Sequence, residues 1–189
     1  VAAGSAGPTA TPEAGPATGT PARPVARPAA AGSPIPGAMS EDRFWSLVDG
    51  VRALSVEEQI PALQRRLATL SPDELVAYEK CFTQLSNGLV TWDHYGAAQV
   101  ILGFTSDDVF TDFRTWVVFR GRDVYTAFRT DPDSLADHGP TDDEDLGLAE
   151  ELEFLADDLY EERTGESMID REDYPVYSDP VGDPPDDSN

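Results

Sequence analysis

The chain has 189 residues, 36 acidic against 13 basic, and a formal charge of −23. That length bounds it to one domain of ordinary size, and so negative a field disfavours nucleic acid and anionic membranes, which need clustered Lys and Arg. The single cysteine, Cys81, excludes an intrachain disulfide and fits a cytoplasmic location, and no apolar run reaches membrane-spanning length.

Residues 1–38 are mostly Ala, Gly, Pro, Ser and Thr, with Val1, Val25 and Ile35 as the larger aliphatic residues and no aromatic. Such a segment cannot bury enough apolar surface to offset the entropy of ordering it, which predicts disorder. It has no apolar h-region, so it does not read as a secretory signal. Met39-Ser-Glu-Asp-Arg-Phe-Trp reads as a natural start in a high-GC bacterium, where upstream DNA translates into Ala/Pro/Gly/Arg runs. Residues 1–38 are therefore either a linker or a start-site artefact, and both readings stay open.

Ser40 is the expected cap of a first helix, with Glu41 and Asp42 in its first turn and an apolar stripe of Phe44, Leu47, Val48, Val51 and Leu54. Trp45 flanks that stripe and is expected at its edge. Ser55 and Glu58 form a capping box for the next helix, in which Pro61 predicts a kink or restart, with Leu63, Leu67 and Leu70 facing inward. Ser71-Pro72-Asp73-Glu74 is the strongest helix start in the chain. Leu75, Tyr78, Phe82, Leu85 and Leu89 continue its face until Asn87-Gly88, and Cys81 beside them reads as a semi-buried packing residue.

A fourth helix is expected over Trp92 to Leu102. Gly96, Ala97 and Ala98 would let another helix approach, Tyr95, Val100 and Ile101 would fill the gaps, and Gly103 would terminate it. Ser106, with Asp107 and Asp108, caps a strongly apolar helix carrying Phe110, Phe113, Trp116, Val117 and Phe119, the expected central helix. Gly121 ends or kinks it, Val124, Tyr125 and Phe128 follow, and Asp131-Pro132-Asp133-Ser134 starts a short turn with Leu135. Thr141 and Glu144 make a further capping box. Leu148, Leu152, Leu155, Leu159 and Tyr160 mark a last long helix ending at Thr164-Gly165. The expectation is an all-α domain of six to seven helices over 39–164, followed by an acidic, disordered tail over 165–189.

The central block carries a resemblance. Tyr95-Gly96-Ala97-Ala98, Ser106-Asp107-Asp108, Asp112-Phe113-Arg114-Thr115-Trp116-Val117 and Arg120-Gly121, preceded by Glu-Asp-Arg-Phe-Trp at 41–45, resemble the bacterial DUF4240 domains. The resemblance covers about 39–164. Phe104 stands where that family has a second glycine and Thr105 where it has a cysteine, so thiol chemistry at this turn is not expected. The family label implies no activity.

Candidate chemistry is sparse. Asp93-His94 could be an acid–base pair, although neighbours on a helix point about 100° apart and do not naturally meet. Asp107, Asp108 and Asp112 could offer oxygens to a cation, but the local pattern is that of an N-terminal cap, and no metal is expected there. Arg114 and Arg120, set among aromatic residues with Trp116, could bind an anion, or cover aromatic faces and helix-end carbonyls. His138 lies in a polar loop and reads as solvated. No phosphate loop, dinucleotide fingerprint, nucleophile elbow or zinc cluster is present, and no cofactor is expected.

The acid is concentrated at one end. Residues 142–189 hold nineteen Asp or Glu against Arg163 and Arg171. The expected function is a non-catalytic cytoplasmic interaction module that meets a basic protein through this acidic end or through a groove beside the central helix. The alternative is a small-ligand sensor or enzyme accessory using Arg114, Trp116, Arg120, His94 and Asp93. A nucleic-acid mimic is the weaker third reading.

Overall fold

The computed structural model describes residues 35–136, 139–140, 143–178 and 180, with 143–145 by backbone alone. The expectations for residues 1–34, His138, Thr141 and 181–189 lie outside the described residues. Among the described residues, seven α-helices form: α1 Glu41–Val48, α2 Val56–Leu67, α3 Pro72–Asn87, α4 Trp92–Leu102, α5 Asp107–Phe119, α6 Arg122–Thr130 and α7 Asp143–Thr164. A 3-10 turn, Pro132–Leu135, follows α6. The fold is all-helical.

Local sequence sets most boundaries. Ser55 and Glu58 make the reciprocal capping box at α2, and Ser71 and Glu74 make another at α3, with Pro72 at the first helical position. Ser106 accepts from the Val109 amide to start α5, and Asp131 accepts from Asp133 to start the 3-10 turn. Gly103 and Gly165 follow α4 and α7 with φ of 75° and 74°, the left-handed conformation in which glycine has no steric penalty.

Helix α5 sits at the centre. Phe113 through Phe119 are all buried, including Arg114 and Thr115, so this helix has no water-facing side over those two turns. Helix α7 packs across α5, α2 and α3, while α6 and the 3-10 turn flank α5 and α4. The far end of α7 is tied to the end of α2, where Arg163 donates to the Ala68 carbonyl at 2.7 Å and to the Leu70 carbonyl. This satisfies carbonyls that a helix C-terminus leaves unpaired.

Several expectations are corrected by packing. Helix α1 ends at Val48, and Leu54 faces solvent beyond a turn instead of extending the stripe. Trp45 is buried, its ring 5.2 Å from Phe44 and 5.3 Å from Tyr125. Ser40 occupies the cap position of α1 but its side chain makes no capping hydrogen bond. Helix α2 runs unbroken through Pro61. Both Pro61 and Glu57, whose carbonyl loses its partner, are exposed, so water can satisfy the orphan. Cys81 is fully buried, and burial pushes its thiol up to about 12. On α4, a Cβ added at Gly96 would meet nothing within 4 Å among the described residues, so no described helix packs against it there, and Val100 is 81 % exposed.

The largest difference concerns the C-terminal segment. Residues 165–178 are anchored to the helical domain. Met168 is fully buried, Asp173 pairs with Lys80 at 2.5 Å, and Tyr174 packs on the core. Composition alone assigns this stretch to a tail, because beyond Met168 the chain is largely Asp, Pro, Tyr and Ser, yet Met168, Tyr174, Pro175 and Tyr177 suffice to anchor it.

At the start of α6, Gly121 has φ 96° and cannot cap with a side chain; Asp49 does so instead, accepting the Arg122 amide at 3.0 Å. A Cβ on Gly121 would lie 2.6 Å from Asp49 Oδ1 and from Arg52 Cδ. Gly121→Ala is expected to lower stability by about 2 kcal/mol in urea denaturation, from backbone strain and loss of the borrowed cap. A loss below ~0.5 kcal/mol would contradict this account of the α5–α6 joint.

Candidate functional site

Four of the five candidate residues lie on or beside one chain of rings, and the fifth lies on another. His94 packs edge-on to Phe128 at 5.0 Å, Phe128 to Phe113 at 5.6 Å, and Phe113 stacks on Trp116 at 6.0 Å. Arg120 lies over the Trp116 ring at 5.5 Å, while exposed Asp93 precedes His94. Arg114 belongs to the second chain, which runs through Phe110 and Tyr95 to Trp92. The structure therefore does not join Arg114 and Arg120 into one anion-binding pair; each covers a different aromatic face.

His94 is engaged on both nitrogens. Nδ1 lies 2.6 Å from Thr91 Oγ1, and Nε2 lies 3.2 Å from the Phe128 carbonyl. A carbonyl can only accept, so Nε2 carries the hydrogen and the Thr91 hydroxyl donates to Nδ1. The Thr91 oxygen in turn accepts the His94 amide at 3.2 Å, capping α4. Burial lowers the pKa of His94, in keeping with a neutral ring. Asp93 makes no hydrogen bond to it among the described contacts.

Arg114 is buried, and four guanidinium donations are accounted for. Nε donates to the Phe110 carbonyl, Nη1 to Ser86 Oγ at 3.1 Å and to the Ser86 carbonyl, and Nη2 to Thr111 Oγ1 at 2.9 Å. The rings of Phe110 and Tyr177 lie 5.1 and 5.4 Å from Cζ. Burial lowers its pKa, but an arginine stays charged, and these partners supply the compensation a buried cation needs. In this arrangement it offers little to a ligand. Trp116 Nε1 is buried with no hydrogen-bond partner among the described residues.

Asp107 and Asp108 are exposed at the start of α5, and Asp112 is half-buried. Partial burial, followed by Glu150, Glu153 and Asp108, pushes the Asp112 carboxyl up to about 6. Among the described residues, no group of three or more His, Cys, Asp or Glu side chains is placed to hold a metal ion. Open grooves lie elsewhere among the described residues. One of about 460 Å³ lies beside Leu54, Arg65 and Arg66, and one of about 200 Å³ beside Glu41, Tyr125 and Arg129.

Sequence reasoning passed over Glu79, Glu153 and Tyr177. Glu153 on α7 accepts from Thr115 Oγ1 at 3.0 Å and from the Tyr177 hydroxyl at 2.5 Å. Glu79 on α3 is wholly buried. Its Oε1 accepts from Thr83 at 3.4 Å, and its Oε2 has no partner among the described residues. Burial, then Glu153 and Asp157, hold its carboxyl up to about 8. Nothing local announces this, since Glu79 follows Tyr78 as an ordinary charge on a helix; its burial comes from what packs on α3, which includes α7.

The family model described as "Protein of unknown function (DUF4240)" matches residues 39–162, more than half of the chain. The chain belongs to the DUF4240 family. No curated protein and no solved structure matches it. In this DUF4240 domain the turn before α5 exposes Phe104 and buries Thr105, the two positions where it departs from the pattern of the resemblance. No helix among the described residues is long and apolar enough to cross a membrane.

The state of Glu79 is testable through stability. The unfolded chain ionises it near 4.5, whereas the native carboxyl keeps its proton up to about 8. Between those values the native state holds a proton that the unfolded state has released, so stability falls as pH rises through the window. Asp112 adds to this fall up to about 6. Glu79→Gln, neutral at every pH, is expected to gain about 4 kcal/mol over the native sequence near pH 8 and nothing near pH 4, by urea denaturation. An equal change at both pH values would show that Glu79 is not buried as a neutral acid.

Proposed function

We propose that this protein is a non-catalytic, cytoplasmic interaction module that docks a basic protein partner on the outer face of α7. The observation that carries this reading is the composition of that face. Glu150, Glu151, Asp158, Glu161 and Glu162 are exposed, with Phe154 among them, 43 % exposed despite its size. Glu151, Phe154, Asp158 and Glu161 recur at three and four residues, which places them on one stripe. No hydrogen bond or ion pair involves these five carboxylates among the described contacts.

The cations are disposed differently. Arg43, Arg52 and Arg122 pair with Glu74, Asp123 and Asp42, and Lys80 and Arg171 share Asp173. Unpaired acid around one aromatic side chain supports docking of a basic surface, with the ring as anchor and the charges steering approach and setting specificity. The inward partners of His94 and Arg114 support a structural role for the central block.

Affinity purification from the native host tests this. The wild-type chain is expected to retain a Lys/Arg-rich protein at low salt and lose it at roughly 0.5 M salt, where charges are screened beyond about 4 Å. Glu151→Lys with Asp158→Lys is expected to lose it at low salt while remaining folded, since both side chains are exposed. Retention by that variant would overturn the proposal.

A further inference from the structure

We propose that the groove between α3, α5 and α7 is a receptor for an extended, tyrosine-bearing peptide segment, filled in the resting chain by its own residues 174–178. This rests on the interaction-module reading and gives it a second surface.

Residues 175–178 are held as a ligand is held. Among the described contacts they make no backbone–backbone hydrogen bond. Their backbone is gripped by one side chain: Asn87 Nδ2 donates to the Val176 carbonyl at 3.0 Å, and Asn87 Oδ1 accepts the Ser178 amide at 2.9 Å. A side-chain amide offers the same donor and acceptor as a peptide unit, so Asn87 acts as a one-residue stand-in for a neighbouring strand, indifferent to side-chain identity. Pro175 is buried, Val176 is 80 % exposed, Tyr177 is half-buried and Ser178 is exposed, the two-residue alternation of an extended chain. Selectivity comes from Tyr177, whose hydroxyl donates to Glu153 at 2.5 Å and whose ring lies 5.4 Å from the Arg114 guanidinium. Backbone hydrogen bonds for affinity and alternate side chains for choice are the means by which extended peptides are recognised.

The resident segment is not electrostatically ideal for this groove. It follows Glu172 and Asp173, and lies above Glu153, Asp157 and the wholly buried Glu79, whose Oε2 has no partner. Lys80 and Arg171 offset Asp173 alone. Its advantage is the tether: it enters only nine residues after α7 ends at Thr164, so its effective concentration is high. An external segment with a tyrosine in the same place competes against that tether, and its apparent affinity is reduced by the fraction of time the groove is open.

The test uses the full chain and a fluorescein-labelled peptide of residues 168–180, read by fluorescence anisotropy. Tyr177→Phe removes the hydroxyl bonded to Glu153, and Ser178→Pro removes the amide that Asn87 accepts without altering any buried side chain. Each variant is expected to bind the peptide roughly tenfold more tightly than the native chain, because its own segment leaves more often. Adding Asn87→Ala to Ser178→Pro is expected to remove that gain. Equal binding by native and Ser178→Pro chains, with near-UV circular dichroism unchanged, would overturn the inference, and this variant decides the matter if Tyr177→Phe does not fold. The acidic face of α7 is untouched in these variants, so failure here with partner docking intact sinks the groove alone. Peptide binding that persists in Glu151→Lys/Asp158→Lys supports the groove independently of that face.

Discussion

Arg114 is the point at which the domain closes. Burying α5 on every side brings a cation into the interior, where an unsatisfied charge costs several kcal/mol. The solution draws in three other pieces of the chain. Ser86 of α3 accepts two of the hydrogen bonds, Tyr177 of the C-terminal segment lays its ring on the guanidinium, and Tyr177 reaches Glu153 of α7, which also holds Thr115 one residue further along α5. A single ionic requirement thus couples α3, α5, α7 and residues 174–178. The segment therefore packs on the helical domain, although their compositions differ sharply.

The same requirement sorts the charges. The described cations sit mostly on carboxylates, helix-end carbonyls or aromatic faces, while Glu150, Glu151, Asp158, Glu161 and Glu162 of α7 are exposed with no partner among the described contacts. Inside, Glu79 tolerates burial by keeping its proton, since two further carboxylates stand nearby and no cation pairs with it among the described contacts. The inner acid is therefore a matter of stability, and the outer acid is the surface on which recognition is proposed. That division supports placing interaction on α7 and stability in the central block.

Much of this fold was legible in the sequence because its signals are local. Ser55, Ser71 and Ser106 act on amides three residues away, and Gly103 and Gly165 act through their own φ, so each could be read without knowing what lies across the molecule. The readings that failed depend on distant partners. Pro61 does not break α2 because water can reach the carbonyl it leaves unpaired. Gly96 sits among small residues, but no described helix comes near it. Trp45 is buried because Tyr125, eighty residues later, packs beside it. Arg114 and His94 lie beside aromatic rings, yet their inward hydrogen bonds run to Ser86 and Phe128 on other helices. Residues 165–178 carried one usable signal, a methionine and two tyrosines within an acidic stretch, and Glu79 carried none.

The central claim is that recognition lies on the acidic face of α7 while the conspicuous Trp92–Arg120 block is structural. Hydrogen–deuterium exchange of the full chain, alone and bound to the partner recovered from the native host, tests it most directly. The account predicts new protection across residues 150–162, with amides of 92–120 unchanged. Protection centred on 92–120, with α7 exchanging as in the free protein, would contradict it.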